Sequence, residues 1–498
     1  MLWIVGGFAV GALGALGFAP YYFAPCVLVF LAWMYFIVLH RPDVNLKAVF
    51  ASLLGFYMIG LRWIVVPLTF DMSHHKFLIP FAICGLPSYM AFYVFVMLCL
   101  CRWLCRRFMI YHPLCFALCF SLGEYACGNM LTGFPWLMCI NAMSNYPALL
   151  QCASWFGAYG VSMLLILFSA LLYEVVRAIW LQSYNRDTKI HGGLLASILV
   201  MVIGCASWHY SRDIEFSDKK IRIVQGSIHN AGRDHEVSED AWRFYYNSLR
   251  DVPQDVVAVI WPESSVLDVF KKGTYTDVMW RELCTASFRV PLVTGLVHHK
   301  DDDMYTSIVC LHGKDGKSDV RYYHKEHLVP FGEYMPFADL VEQCVNAAGA
   351  RGIAGSGYKA GGGDKLLYIP GIGYATCYVC YEAIFPNEKA FDERADILLQ
   401  CLNDGWFLDS CQPYQHCAIA RMRAIENGMP LIRCANYGVS AVFDPCGREI
   451  IRCEVDEVAV RDVFVPKKFF SPTLYRKYGD IMYFILCGIV AILSFFLC

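Results

Sequence analysis

Apolar runs long enough to cross about 30 Å of hydrocarbon recur eight times in this chain, near 2–17, 22–40, 47–67, 77–101, 108–129, 151–176, 192–209 and 479–497. Inside a bilayer each backbone group must be satisfied within its own segment, so such runs commit their residues to helices. Seven runs precede residue 212 and one closes the chain. Charged residues make up 17% of the sequence, against roughly 25% in soluble domains, and residues 1–211 are almost free of acids. Residues 212–478 have ordinary globular composition. The expected organisation is a transmembrane domain of seven spans over 1–211, a soluble domain over 212–478 and a C-terminal transmembrane helix over 479–498. A net charge of −2 gives no support for nucleic-acid binding.

Basic residues in short loops set the orientation. Arg41 and Lys47 flank the second loop, Arg102, Arg106 and Arg107 fill the fourth, and Arg177, Arg186 and Lys189 fill the sixth. The first and fifth loops, 18–21 and 130–150, carry no charge. Even loops are therefore expected in the cytoplasm, with the soluble domain outside. Met1-Leu2-Trp3-Ile4 has no basic lead-in, which favours a retained first helix over a cleaved signal peptide. Lys467, Lys468, Arg476 and Lys477 run against the pattern by preceding the last span on its outer side; an anionic lipid surface would account for them. No span shows paired ionisable residues, Arg62 and Glu124 standing alone. The uncharged Gly133-Phe134-Pro135-Trp136-Leu137-Met138 belongs at the membrane interface, as an aromatic anchor or as a wall of a lipid-access site.

Within 212–478, continuous apolar strands alternate with helical patterns, which predicts an α/β layered fold. The strands are expected at 220–225, 256–261, 290–295, 307–311, 365–370, 373–380 and 396–401. Helices are expected at 235–249 and, amphipathic and carrying Arg421, Arg423 and Glu426, at 414–427. The 24 cysteines show no zinc-type pattern: Cys377 and Cys380 form a CxxC without a second pair.

Three strand-like runs end on groups that together can make a thiol attack a carbonyl. Trp261-Pro262-Glu263 supplies a base, Lys325 a cation and Val379-Cys380-Tyr381-Glu382 a nucleophile at a sharp turn. A thiol is only a few per cent ionised at neutral pH, so it needs such help. Glu263 can take the proton. Lys325 can hold the thiolate and later the oxyanion, with the Tyr381 N–H as second donor. Taken singly each has a plainer reading: Cys380 as core filler, Glu263 as a helix N-terminal acid, Lys325 as a surface partner of Glu326 or Glu333. Their occurrence in order, each at a strand end, outweighs those readings.

The Glu263…Lys325…Cys380 order, with Pro262-Glu263 at the first site and Cys380-Tyr381-Glu382 at the third, resembles the nitrilase, or carbon–nitrogen hydrolase, superfamily. In Thr132-Gly133-Phe134-Pro135-Trp136-Leu137, Val224-Gln225-Gly226, His327-Leu328-Val329-Pro330-Phe331-Gly332-Glu333-Tyr334, Val379-Cys380-Tyr381-Glu382, Asn403-Asp404-Gly405-Trp406-Phe407, Arg421-Met422-Arg423-Ala424-Ile425-Glu426 and Arg433-Cys434-Ala435-Asn436-Tyr437-Gly438, the chain is more closely similar to the apolipoprotein N-acyltransferase family of the bacterial inner membrane. The resemblance implies a nitrilase-like αββα sandwich on the periplasmic side and a ping-pong reaction through a thioester on Cys380. The acyl donor would be a phospholipid and the acceptor the amine of a diacylated apolipoprotein, with no cofactor and no metal. It implies Glu263 as base, Lys325 as oxyanion stabiliser, Glu333 as the carboxylate orienting Lys325, and Tyr381 and Glu382 as supports of the nucleophile turn. Trp136 and Trp406 would make acyl-chain or loop contacts. The sequence departs from the family pattern at Ala231–His235 and at Tyr305-Thr306-Ser307, which bears on substrate recognition more than on chemistry. A membrane-anchored amidase using the same three residues, and a transporter or lipid-binding scaffold with an inactive domain, are the competing classes.

Overall fold

The computed structural model describes residues 1–498 except 42, 71, 73–75, 229–238, 264, 266–274, 301–302, 337–356, 364, 387, 390–391 and 498. The departure at Ala231–His235 lies outside the described residues, as does the start of the helix expected from 235. The N-terminal part is all helical: α1 (Leu2–Gly14), α2 (Ala24–Tyr35), α3 (Leu46–Gly60), α4 (Leu86–Arg107), α5 (His112–Asn129), α6 (Ala153–Trp180) and α7 (Arg186–Cys205). Then follow β1 (Phe216–Gln225), α8 (Glu239–Asn247), β2 (Val256–Ile260), α9 (Tyr275–Ala286), β3 (Leu292–Lys300), β4 (Asp303–Lys314) and β5 (Lys317–His324). The second half of the sheet region has β6 (Leu366–Ile369), β7 (Gly373–Val379), β8 (Ala395–Leu402), α10 (Gln412–Asn427), β9 (Leu431–Ala435), β10 (Ser440–Phe443), β11 (Glu449–Cys453) and β12 (Ala459–Pro466). The short α11 (Leu474–Tyr478) and then α12 (Ile481–Phe496) close the chain.

Each expected span meets a helix, but length and apolarity together single out fewer than eight. Three helices among the described residues are long and apolar enough to cross a membrane: Phe81–Arg107, Ala153–Trp180 and Arg186–Tyr210. A fourth candidate is Leu46–Gly60 with Arg62–Thr69, bent by 47°. Leu2–Gly17, Ala24–His40 and Ile481–Phe496 are apolar but shorter. Composition alone could not show where a run breaks into tighter or wider turns, as at the 3-10 segment Arg62–Thr69 and the π segment Phe36–His40. The expectation of unpaired ionisable groups is also corrected. Glu174 on α6 accepts from Tyr35 Oη and contacts His40 Nε2, both at 2.7 Å. Its partners come from α2 and the turn after it, too far away in sequence to be seen together. Glu124 is held by neutral groups: it accepts from Ser162 Oγ at 2.5 Å and from Cys139 N at 2.8 Å.

The strands form two six-stranded sheets, β12-β1-β2-β3-β4-β5 and β11-β10-β9-β8-β7-β6. Alternating residues explain why they stack. Ile221, Ile223, Ile260, Ile308 and Tyr323 of the first sheet meet Cys377, Val379, Leu399, Ile432 and Val442 of the second in one buried cluster. The opposite face of the first sheet is covered by α8 and α9 through Trp242, Tyr245, Met279 and Leu283. That of the second is covered by α10 through Cys417, Ala420 and Ala424. The layers are thus α, β, β, α, and the α/β expectation holds.

α10 carries the expected charges but is covered on both faces. Its second face packs on the membrane-type helix α6, so Arg423 and Glu426 are both fully buried. Arg423 Nε lies 2.9 Å from Glu426 Oε2, and Glu426 Oε1 accepts from Ala158 N at 2.7 Å. That N–H is free to donate because α6 kinks at Gly157, where φ is 68°. The basic residues before α12 are likewise spoken for. Lys467 pairs with Glu215, Lys468 pairs with Asp396, and Arg476 donates to Asp392 O. These three fasten the returning chain to the sheets. Removing one partner of a buried pair strands the other charge, at a cost of roughly 3–5 kcal/mol. Glu426→Ala should therefore lower the thermal midpoint of the detergent-solubilised protein by several degrees. Glu426→Gln, which can still accept from Ala158, should lose less. Equal midpoints for Glu426→Ala and the parent would mean that this pair does not join sheet and helix.

Candidate active site

Three strand ends converge on one buried point. β2 of the first sheet runs into Glu263 and β5 of the same sheet into Lys325. β7, from the facing sheet, runs into Cys380, the first residue of the 3-10 turn Cys380–Ile384. Cys380 has φ 50°, a conformation that side chains other than glycine rarely adopt. The sharp reversal lifts its thiol out of the strand toward Glu263 and Lys325.

The charges define what this cluster can do. Glu263 is within hydrogen-bonding reach of the Cys380 thiol, and its buried Oε2 has no hydrogen-bond partner among the described residues. Burial pushes the Glu263 carboxyl up to about 7; the Lys325 charge opposes this and Glu333 adds to it. Lys325 is 1% exposed and donates to Glu333 Oε1 at 2.8 Å. Burial works against its ammonium, but Glu333, Cys380 and Glu263 outweigh burial and hold it protonated. The thiol goes the other way: burial first, then the Glu263 charge, pushes Cys380 well above its ordinary range, and Lys325 only partly counters them. These directions favour a neutral thiol beside a carboxyl held near neutrality, an arrangement suited to general-base catalysis.

The supporting residues take up definite places. Glu333 Oε2 accepts from Val329 N at 2.7 Å, and Oε1 accepts from Thr306 Oγ1 at 3.3 Å. Glu382 is fully buried and ties the turn to the Lys325 loop: it accepts from Val379 N at 2.7 Å, Glu326 N at 2.8 Å and His327 N at 3.1 Å. Tyr381 donates from its hydroxyl to Leu328 O at 2.6 Å, and its ring lies 5.1 Å from Lys325 Nζ. As the second residue of the turn it has a backbone N–H without an intrahelical acceptor. Neither tryptophan joins this cluster. Trp136 is buried at 2% exposure, stacked on Phe134, and donates to Gln415 Oε1 at 2.8 Å. It is neither a lipid-facing anchor nor an exposed wall, because the sheet part covers it. Trp406 is 41% exposed beside Phe70.

Several residues at the site gave no sequence signal of their own. Gln400 donates to Cys380 O at 2.7 Å and contacts His416 Nε2 at 3.1 Å. His416 Nδ1 contacts Asp404 Oδ1 at 2.9 Å, and Arg433 spans Gln400 Oε1 at 2.7 Å and Asp404 Oδ2 at 2.9 Å. Burial pushes the His416 imidazole down, so it is neutral and donates from Nδ1 to the carboxylate. Asp404 and Arg433 stand within motifs quoted above; Gln400 and His416 could be found only by knowing which elements pack behind the turn. Thr306, at one of the two departures from the family pattern, proves to hold the site: besides bonding Glu333, its carbonyl accepts from Lys325 N at 2.8 Å.

The stretch carrying all three strand ends, residues 256–463, matches the carbon–nitrogen hydrolase family model, and this is the class that fold and site define. Residues 10–171 match a model described as the apolipoprotein N-acyltransferase N-terminal domain. The apolipoprotein N-acyltransferase of Rickettsia bellii is 31% identical to the chain, covering 98% of it and 96% of its own length. That of Rickettsia prowazekii is 30% identical over 95% and 93%, and that of Bradyrhizobium diazoefficiens 29% identical over 97% and 93%. The chain belongs to the apolipoprotein N-acyltransferase family.

Gly295 on β3 offers a test of the geometry. A Cβ there would lie 2.5 Å from Glu263 Cα, and Gly295 N donates to Pro262 O at 3.1 Å. Gly295→Ala should displace Glu263 and lower kcat by up to about 100-fold, with KM little changed and the fold retained by circular dichroism. Full activity in this variant would mean that the position of Glu263 does not limit the reaction.

Proposed function

We propose that this protein transfers an acyl chain from a phospholipid to the N-terminal amine of diacylglyceryl-cysteine apolipoproteins, with Cys380 carrying the chain as a thioester. The reading is carried by one observation: a base near its working pKa, a fixed ammonium and a thiol meet at the ends of three strands. The family relationship supplies the substrates. In the first half-reaction the Glu263 carboxylate takes the Cys380 proton as the sulfur attacks the ester carbonyl of the phospholipid. Lys325 and the Tyr381 N–H stabilise the oxyanion. Collapse expels the lysophospholipid alkoxide, which takes the proton back from Glu263. In the second half the acceptor amine attacks the thioester and loses a proton to Glu263. The Cys380 sulfur then leaves and is reprotonated, and an amide is formed. Glu333, through Lys325, and Glu382, through the turn, act as positioning residues, and Trp136 and Trp406 border the helical part from which an acyl chain would approach.

Both substrates are lipids, which accounts for joining this chemistry to apolar helices. We assign the protein to the bacterial inner membrane, with eight spans, 212–478 as the catalytic domain on the periplasmic side and 479–498 as its closing helix. The loop charges support this orientation, and the pairing of Lys467 and Lys468 with acidic side chains and of Arg476 with a carbonyl gives three of the four opposing basic residues a place in the fold. Fastening the domain at both ends keeps its site at the lipid surface and raises the local concentration of both substrates.

The test incubates the purified protein in detergent with phospholipid and a diacylated lipopeptide, followed by mass spectrometry. An acyl adduct on Cys380 and an N-acylated peptide are expected, both lost in Cys380→Ala and nearly lost in Cys380→Ser. Lys325→Met should cost about 100-fold or more, in line with loss of one oxyanion donor. N-acylation by Cys380→Ala would overturn the mechanism, and release of free fatty acid in place of the amide would identify a hydrolase. A thiol-reactive or protease tag placed within 130–150 should be reached from the periplasm and one within 102–107 should not; the reverse pattern would overturn the orientation.

A further inference from the structure

Four cysteines at the junction of α4 and α5 serve no part of the acyl-transfer chemistry. Cys101 and Cys105 lie one turn apart near the end of α4, and Cys115 and Cys119 one turn apart near the start of α5. Residues four apart share a helix face. The two helices pack against each other across a short connection, so the two pairs face one another. The sulfurs of Cys101, Cys105 and Cys115 all lie within 4.8 Å of one another. Cys119 is in side-chain contact with Cys101 and Cys115. Cys101, Cys115 and Cys119 are buried and Cys105 half-buried. Among the described residues this is the one group of three or more metal-ligating side chains that meet. No zinc-type spacing was expected from the sequence, because each pair is a single turn of helix and becomes a set of four only when the two helices pack.

We propose that Cys101, Cys105, Cys115 and Cys119 form a tetrahedral thiolate site for a thiophilic d10 cation, Zn2+ or Cu+. Zinc–sulfur bonds of about 2.3 Å put tetrahedral sulfurs about 3.8 Å apart, so the sulfurs of Cys101, Cys105 and Cys115 need to close by only about 1 Å, and Cys119, already touching two of them, moves in as the fourth donor. Four soft donors without an oxygen ligand select these ions over Mg2+ or Ca2+. Binding releases the thiol protons as the sulfurs become thiolates. The excess negative charge of such a shell falls beside Arg102 and Arg106. The Arg102 guanidinium is fixed in place by the carbonyls of Ile37 at 2.7 Å, Val38 at 3.0 Å and Val44 at 3.1 Å. A cavity of about 420 Å³ bordered by Cys105, Met109 and His112 opens over the junction and gives an ion a way in, past a thioether and an imidazole, to the half-buried sulfur. On the orientation proposed above the junction lies in the cytoplasm, where thiols stay reduced and a disulfide is disfavoured. The bound ion would staple α4 to α5 without touching the acyl-transfer residues.

Metal binding is read separately from acyl transfer, so either reading can fail alone. Reduced full-length protein in detergent is titrated with Co2+, a spectroscopic stand-in for Zn2+, and in a parallel arm with chelator-buffered Cu+. The expected result is one equivalent bound in at least one arm. For cobalt this shows as intense thiolate-to-metal charge-transfer absorption that Zn2+ abolishes. Cys105→Ser/Cys115→Ser should lose the signal while keeping acyl transfer. Cys105→Ser alone, at the half-buried position, should weaken binding at least about tenfold and keeps the test open if the double variant does not fold. No stoichiometric binding of either ion to protein whose thiols react as free, or equal binding by these variants, would overturn the proposal.

Discussion

An ammonium cannot be taken out of water unless opposite charge goes with it, and Lys325, 1% exposed, is the point from which the rest of the site is arranged. Glu333 answers it directly at 2.8 Å. Glu333 is held in turn by Thr306 and by the backbone of Val329, so the cation has little freedom to follow a moving charge. Glu263 shares the same enclosure. Its Oε2 has no partner among the described residues, and burial, only partly offset by Lys325, sets its proton affinity near neutrality. In the mechanism proposed above, the Cys380 thiol gives its proton to this base, and the one buried cation bears on both that proton transfer and the later oxyanion.

The same network reaches into the helical part. Gln415 on α10 accepts from Trp63 at 3.0 Å and Trp136 at 2.8 Å, and donates to Gly60 O at 3.2 Å. The next residue, His416, closes the chain of bonds through Asp404 and Gln400 to the Cys380 carbonyl. α10 is therefore the element that registers the nucleophile turn against the apolar helices, which explains why polar and charged side chains on both its faces are buried. An enzyme that draws both substrates from a bilayer gains from this rigidity, because the position of the thiol relative to the lipid surface is set by covalent and hydrogen-bonded structure and not by diffusion.

Part of the candidate site was legible because it is local. Glu263 and Cys380 each follow a strand buried on both faces, which betrays itself as a continuous apolar run, whereas Lys325 follows the mostly polar β5 and stood out only by the motif that runs on to Glu333. What lies between elements was not legible. Gln400 and His416 are 16 residues apart on different layers, and Gly295 matters only because the Glu263 backbone crosses it. β5 and the run from β9 to β12 were not foreseen; β5 is mostly polar, and the later strands are short and interrupted by turns. Arg423 and Glu426 suggested a solvent face because a sequence shows charges but not the neighbouring helix that buries them. The cysteine quartet was hidden for the same reason, since its halves are joined by packing and not by spacing.

The central claim is that Glu263 removes the proton from Cys380, and the alkylation rate of Cys380 as a function of pH tests it most directly. The Cys380 adduct is followed by mass spectrometry on the intact protein in detergent. The account predicts a rate that rises tenfold per pH unit below about 7 and levels off above it, as the Glu263 carboxyl loses its proton. In Glu263→Gln that step should vanish, leaving a slow reaction that grows only at strongly alkaline pH. A profile rising through the ordinary thiol range near 8.5, unchanged by Glu263→Gln, would contradict it.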